Sequence, residues 1–224
     1  MLVNSAGGRL GSERACDDMA IVEDPGTTTI YLVRHGRTAL NANGQLRGHL
    51  DPPLDEVGRA EAKALASVIA PFEPVLVVSS PLLRAVETAG AIADECGLTA
   101  EVDDRFVDRD YGSYAGKRVE DVVAQWGSLS NAPGVESVQD VVARAKAALD
   151  DVVRRVRPEP AVIVAHDAIN RLLLSHLAPG RWSHDEDIPQ RTGCLNIVYR
   201  GVHRWLVAEV DLMPFFDGDA GVDQ

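Results

Sequence analysis

Two histidines in this sequence stand directly after short apolar runs. Thr29-Ile30-Tyr31-Leu32-Val33 leads into Arg34-His35-Gly36-Arg37-Thr38, and Ala161-Val162-Ile163-Val164-Ala165 leads into His166-Asp167. A third run, Val75-Leu76-Val77-Val78, ends at Ser79-Ser80-Pro81, with Arg84 close behind. Short β-branched runs bounded by turn or helix signals read as buried strands. In open α/β sheets, ligands sit in the crevice beyond the carboxyl ends of the strands. The three segments would therefore bring two imidazoles and two or three guanidiniums into one crevice. Imidazole changes charge near neutrality, and guanidinium forks match the oxygens of an anion, so the set would suit a bound anionic ligand. Each residue also has a plainer reading. His35 could be a hydrogen-bonded strand-end residue, His166 a helix cap, and Arg84 an ion-pair partner of Glu87 at i+3. A cation in a first helical turn opposes the helix dipole, however, unless an anion is bound there.

The elements that must position these residues alternate along the chain. A helix is expected from Asp55, as N-cap, to about Ala70. A second is expected to open at Ser80-Pro81, with Ser80 as cap and Pro81 at the first helical position, and to run to about Glu95. Apolar residues at 138, 141, 142, 145, 148, 149, 152, 153 and 156 make one face of a long helix. Another helix is read from about Ala168 to Leu177, and strands at Leu195–Tyr199 and Trp205–Val210. This pattern predicts an α/β fold, with helices layered on a mostly parallel mixed sheet. Residues 1–28, rich in Gly, Ser, Asp and Glu, are expected to be a flexible N-terminal extension. A single catalytic domain is expected over 29–213, and an acidic C-terminal tail over 214–224.

Composition narrows the function classes. The chain has 224 residues, 46% of them apolar, which fits one domain with a substantial core. Its 22 Lys+Arg against 34 Asp+Glu give a net charge of −12, which disfavours nucleic acid as a partner. No apolar run approaches the roughly 18 residues of a membrane helix, so no membrane association is expected. Three cysteines without a CxxC pair suggest neither a disulfide framework nor a zinc knuckle, in keeping with a cytoplasmic protein.

Together these segments resemble the histidine phosphatase superfamily, in its phosphoglycerate mutase-like branch, over about residues 29–200. The opening motif is Arg34-His35-Gly36-Arg37-Thr38, followed by Asn41 and then by Gly48, Asp51, Pro53-Leu54 and Gly58. Ser79-Ser80-Pro81-Leu82-Leu83-Arg84-Ala85 with Thr88-Ala89 is similar to the segment of the second phosphate arginine. Phe106-Val107-Asp108-Arg109-Asp110-Tyr111-Gly112 is similar to the acidic loop, Glu136-Ser137 to the start of the long helix, and Val164-Ala165-His166 to the segment of the second histidine. The resemblance implies a three-layer α/β/α sandwich and a metal-independent phosphomonoesterase without a cofactor. It would act on a small phosphorylated metabolite through a phosphohistidine at His35 and release inorganic phosphate. It also implies that Arg34, Arg84 and His166 grip the phosphoryl oxygens, with Asn41 as a neutral donor and Asp108 as the proton donor. Oligomeric state, monomer or homodimer, stays open.

The chain departs from the family's pattern at several points. The donor position holds Asp108 where Glu is usual in this branch. Asp167 follows the second histidine where Gly is common, which makes it an alternative acid; its plain reading is an N-cap. Arg47 stands where Gln is common, and Arg37 occupies a variable position, so both are candidates for the substrate rim. His49, Arg109, Tyr111 and Trp126 could join that rim. A mildly acidic optimum, roughly pH 5–7, would follow from a neutral His35 working with a protonated aspartate. The alternatives are mutase-type phosphoryl transfer, metal-dependent hydrolysis, and a non-catalytic phospholigand-binding relative.

Overall fold

The computed structural model describes residues 2–3, 21–22, 24–184 and 187–214. Its strands are β1 (Leu2–Val3), β2 (Thr28–Arg34), β3 (Leu76–Ser79), β4 (Glu101–Val102), β5 (Ala161–Ala165), β6 (Leu195–Arg200) and β7 (Trp205–Pro214). They form one sheet in the order β1-β7-β6-β2-β5-β3-β4. The run β2-β5-β3-β4 is parallel, and β6, β7 and β1 join antiparallel to their neighbours. Its helices are α1 (Ala39–Ala42), α2 (Glu56–Ile69), α3 (Leu83–Glu95), α4 (Val119–Trp126), α5 (Val138–Val156) and α6 (Asp167–Leu177).

Period-two alternation divides the sheet between two cores. Ala161, Ile163 and Ala165 of β5 pack with α5 and α6 on one face, while Val162 and Val164 pack with α2 and α3 on the other. The helices thus form the outer layers of an α/β/α arrangement. Because β2 and β5 lie side by side in parallel, with Arg34 opposite Ala165, His35 and His166 emerge together at one end of the sheet.

The long helix has the predicted bounds, and the Ser137 hydroxyl accepts from Asp140 N at 3.1 Å as its cap. Asp55 caps α2 in the same way, its Oδ1 accepting from Gly58 N at 2.8 Å. The helix expected at Ser80-Pro81 begins at Leu83 instead. The Ser80 hydroxyl lies 2.6 Å from His166 Nε2, and the cap comes from outside: Asp51 Oδ1 accepts from Leu83 N at 2.6 Å. Strands β1 and β4 and helices α1 and α4 are additional to the elements read from the sequence.

Of the 1–28 segment, Leu2 and Val3 pair with Met213 and Pro214, and Thr28 opens β2; most of the remainder lies outside the described residues. Residues 215–224 of the tail also lie outside them. Among the described residues, no helix is long and apolar enough to cross a membrane.

A third, smaller core lies apart from the two main ones. Leu46, Tyr111, Tyr114, Val122 and Ala132 are buried together, with Trp126, Leu129 and Val135 packed against them. Backbone bonds from Leu46 N to Lys117 O (2.9 Å) and from Gly116 N to Leu46 O (2.8 Å) tie the segment around residue 46 to this cluster. That attachment fixes the loop carrying Arg47 and Gly48.

Candidate active site

The turn after β2 is held by backbone-to-backbone packing. A Cβ on Gly36 would lie 2.4 Å from Gly58 O, and one on Gly58 would lie 2.1 Å from Arg37 O. Glu61, on α2, takes Arg37 N on Oε2 (2.7 Å) and the Thr192 hydroxyl on Oε1 (2.9 Å), joining this turn to the loop before β6. Gly58→Ala is expected to destabilise the protein by about 1–3 kcal/mol or more, because a methyl group cannot enter that contact. The check is a urea midpoint that falls with an unchanged m value.

The hydrogen bonds of His35 define its tautomer. Nδ1 lies 2.7 Å from Gly36 O, a carbonyl that can only accept, so Nδ1 carries the proton. Nε2 accepts from Arg84 Nε at 3.2 Å and is therefore unprotonated. Burial first, and then the charges of Arg84, Arg34 and Arg47, push the His35 pKa well below the ordinary histidine value. His166 lies beside it, the ring centroids 5.1 Å apart, and is likewise pushed well down by burial and by Arg84.

Arg84 is fully buried and fixed by four contacts. Besides His35, it donates from Nη1 to Leu50 O (2.7 Å) and from Nη2 to Gly48 O (3.0 Å) and Asp108 Oδ2 (3.1 Å). The pairing with Glu87 is not formed; Glu87 Oε2 accepts from Leu54 N instead. Gly48 reaches Arg84 from a left-handed conformation, φ 48°, with the Tyr111 ring 3.2 Å from where a Cβ would stand.

The two candidate acids have opposite environments. Asp108 is buried, accepts from Arg109 N (2.9 Å) and Arg84, and has a raised pKa because burial outweighs the pull of Arg84 and Arg47. Asp167 is the first residue of α6 rather than its cap, which is His166. It forms an i,i+4 ion pair with Arg171 and lies 3.7 Å from Arg34 Nη1. Burial opposes its ionisation, but Arg34 and Arg171 prevail and its pKa is lowered.

The remaining sequence candidates divide. Arg34 is buried at the end of β2, its Nη1 donating to Gln190 O. Arg47 is half-buried, and its charge acts on His35, His166, Asp108 and Asp167. Arg37 is drawn aside by Asp55, Nε to Oδ2 at 2.8 Å. Asn41 accepts from Thr38 N (3.1 Å) and the Thr38 hydroxyl (2.8 Å), so its amide oxygen serves the α1 cap. His49 Nε2 is bonded to Asp108 O at 3.0 Å. Arg109 turns to Glu136 O and Ser130, while Tyr111 and Trp126 pack in the small third core.

Two contributors went unread in the sequence. Ser80 follows β3 directly, so the strand-end rule that selected the histidines could have found it. Gln190 O, placed against Arg34 from 156 residues away, carries no local signal.

Six buried side-chain polar atoms lack a hydrogen-bond partner among the described residues, and three belong here: Arg34 Nε, Arg47 Nε and His166 Nδ1. Buried polar groups are ordinarily satisfied, so such a concentration beside His35 marks a place for a ligand rich in acceptors. No group of three or more His, Cys, Asp or Glu side chains placed to hold a metal ion occurs among the described residues. A cleft of about 550 Å³ is lined by His49, Val107, Asp110 and Glu136, among others, and includes none of these groups.

Comparison with known proteins defines the class. Residues 30–212 match the model of the histidine phosphatase superfamily, branch 1. The chain belongs to that superfamily. It is 33% identical over 158 residues to the glucosyl-3-phosphoglycerate phosphatase of Mycobacterium tuberculosis, covering 62% of this chain and 70% of that protein. It is 30% identical over 188 residues to phosphoserine phosphatase 1 of Hydrogenobacter thermophilus, covering 78% and 85%. A match to the Mycolicibacterium vanbaalenii glucosyl-3-phosphoglycerate phosphatase, 39% identical over 87 residues, spans only 39% of that protein's length. Among solved structures, a mycobacterial glucosyl-3-phosphoglycerate phosphatase in complex with VO3 superposes with a TM-score of 0.74 at 28% identity, over 82% of this chain and 98% of that one. Within the superfamily these similarities place the chain among phosphatases, enzymes that hydrolyse phosphoric monoesters.

Proposed function

We propose that the protein is a metal-independent phosphomonoesterase that works through a phosphohistidine at His35 Nε2 on a small phosphorylated metabolite. The observation that carries this reading is the His35 tautomer: a buried imidazole protonated on Nδ1, with its Nε2 lone pair directed at the Arg84 guanidinium. A phosphoryl group bonded to Nε2 would meet Arg84 Nε–H and Arg34 Nε–H as donors. The Ser80 hydroxyl accepts from Leu82 N and can donate its own proton to His166 Nε2, leaving Nδ1–H of His166 as a neutral donor to the same group. In the first step Nε2 bonds to phosphorus as the ester P–O bond breaks, and Asp108 protonates the departing oxygen. In the second, water attacks phosphorus and loses a proton to the Asp108 carboxylate, releasing inorganic phosphate and His35.

The named activities of the relatives, on glucosyl-3-phosphoglycerate and phosphoserine, support a small ester as substrate. A cytoplasmic setting fits the unpaired thiols of Cys96 and Cys194. The test is rapid quenching in alkali during turnover of a 32P-labelled ester in EDTA. A base-stable, acid-labile label on His35 is expected; undiminished turnover with no label, or activity that disappears in EDTA and returns with a divalent metal, overturns the reading.

A further inference from the structure

Two of the three arginines around His35 already face a carboxylate. Arg84 Nη2 is 3.1 Å from Asp108 Oδ2, and Arg34 Nη1 is 3.7 Å from Asp167 Oδ2. Among the described residues, Arg47 has only a long bond from Nη1 to the Gln45 carbonyl, 3.3 Å, and a buried Nε without a partner. It is also held in place. Leu46, before it, is pinned by backbone bonds to Gly116 and Lys117, and Gly48, after it, places its carbonyl on Arg84.

A phosphomonoester near neutrality is close to a dianion. Asp167 is ionised and shares its charge between Arg171, its i,i+4 partner, and Arg34, so Arg34 meets a dianionic ligand with part of its charge already engaged. Arg47 restores that part, and its charge reaches both histidines and both aspartates of the site. Resting on the phosphoryl site assigned above, we propose that Arg47 is a third phosphoryl-binding guanidinium and the counterweight to Asp167, which draws off part of the charge of Arg34. The pair keeps the site matched to a dianion while allowing Asp167 to fix Arg34 in place.

Inorganic phosphate, as a competitive inhibitor of p-nitrophenyl phosphate hydrolysis by the full chain, reads this directly. Arg47→Gln is expected to raise the phosphate inhibition constant about tenfold or more, since charge-assisted bonds to an ion are being lost. Arg47→Lys, which keeps the charge, is expected to retain most of the affinity. Asp167→Asn is expected to tighten phosphate several-fold, and Asp167→Asn with Arg47→Gln to return to within about threefold of the parent protein. An inhibition constant unmoved by Arg47→Gln, or a Lys variant as weak as the Gln one, overturns the role of Arg47. Weaker phosphate binding in Asp167→Asn overturns the pairing. Loss of turnover in His35→Ala in the same assays shows that the phosphatase reading stands even where this inference fails; full turnover in His35→Ala refutes that reading.

Discussion

His35→Ala should lower kcat on the order of 10⁴-fold or more while leaving a folded protein. The imidazole forms one side-chain bond to its own neighbour, Gly36 O, and accepts one from Arg84. Removing it leaves Arg84 fixed by Leu50 O, Gly48 O and Asp108, so the phosphate cradle survives without its nucleophile. Phosphate affinity should therefore change far less than turnover. That split separates a nucleophile from a residue that merely fills space, because a packing defect would weaken binding and stability together. Thermal unfolding, phosphate inhibition and rate, measured on one preparation, check it. A kcat within about tenfold of the parent would exclude His35 as the attacking group, since covalent catalysis has no substitute for it at that position.

The part of this site that was legible in the sequence is the part that depends on period and adjacency. Ile30 and Leu32 face one core and Tyr31 and Val33 the other, and the chain breaks that alternation at Arg34-His35. The same holds for β5 and His166, so two strands read locally predict a shared edge once they pair in parallel. Long amphipathic helices were equally readable, because α5 brings both its apolar stripe and its Ser137 cap within one segment. Elements whose reasons lie elsewhere in the chain were not. Strand β4 is two exposed residues, without an apolar pattern to detect. Helix α4 buries only Val122 and is stabilised through Leu46, Tyr111 and Tyr114, all outside it. The sequence puts the start of α3 at Ser80-Pro81, whereas the Ser80 hydroxyl is engaged by His166 and Asp51, distant in sequence, supplies the cap at Leu83. Arg47 reads in the sequence only as a candidate for the substrate rim for the same reason: the attachment of its loop to Lys117 and Gly116, which half-buries it, comes from residues far along the chain.

The choice between Asp108 and Asp167 follows from electrostatics rather than from proximity to a histidine. A general acid must hold a proton at working pH and release it to the leaving oxygen. Asp167 is kept ionised by Arg34 and Arg171, whereas burial raises the Asp108 pKa and favours its protonated form. Arg84 joins Asp108 to His35, its Nη2 on the carboxyl group and its Nε on the imidazole, so the proposed acid and the proposed nucleophile flank one guanidinium. The depressed His35 pKa moves the acidic limb of the rate profile downward, because the nucleophile stays unprotonated to lower pH. The raised Asp108 pKa moves the alkaline limb upward, with the rate falling as pH rises through it. Asp108→Asn should therefore slow hydrolysis of an alkyl phosphate about 10²–10⁴-fold, slow p-nitrophenyl phosphate much less, and flatten the alkaline limb. Asp167→Asn should keep that limb, since the group responsible for it is still present. Rate–pH profiles of both variants on a poor and a good leaving group decide the matter: if the alkaline limb persists in Asp108→Asn and vanishes in Asp167→Asn, the acid is Asp167, and the burial of Asp108 serves only to hold Arg84.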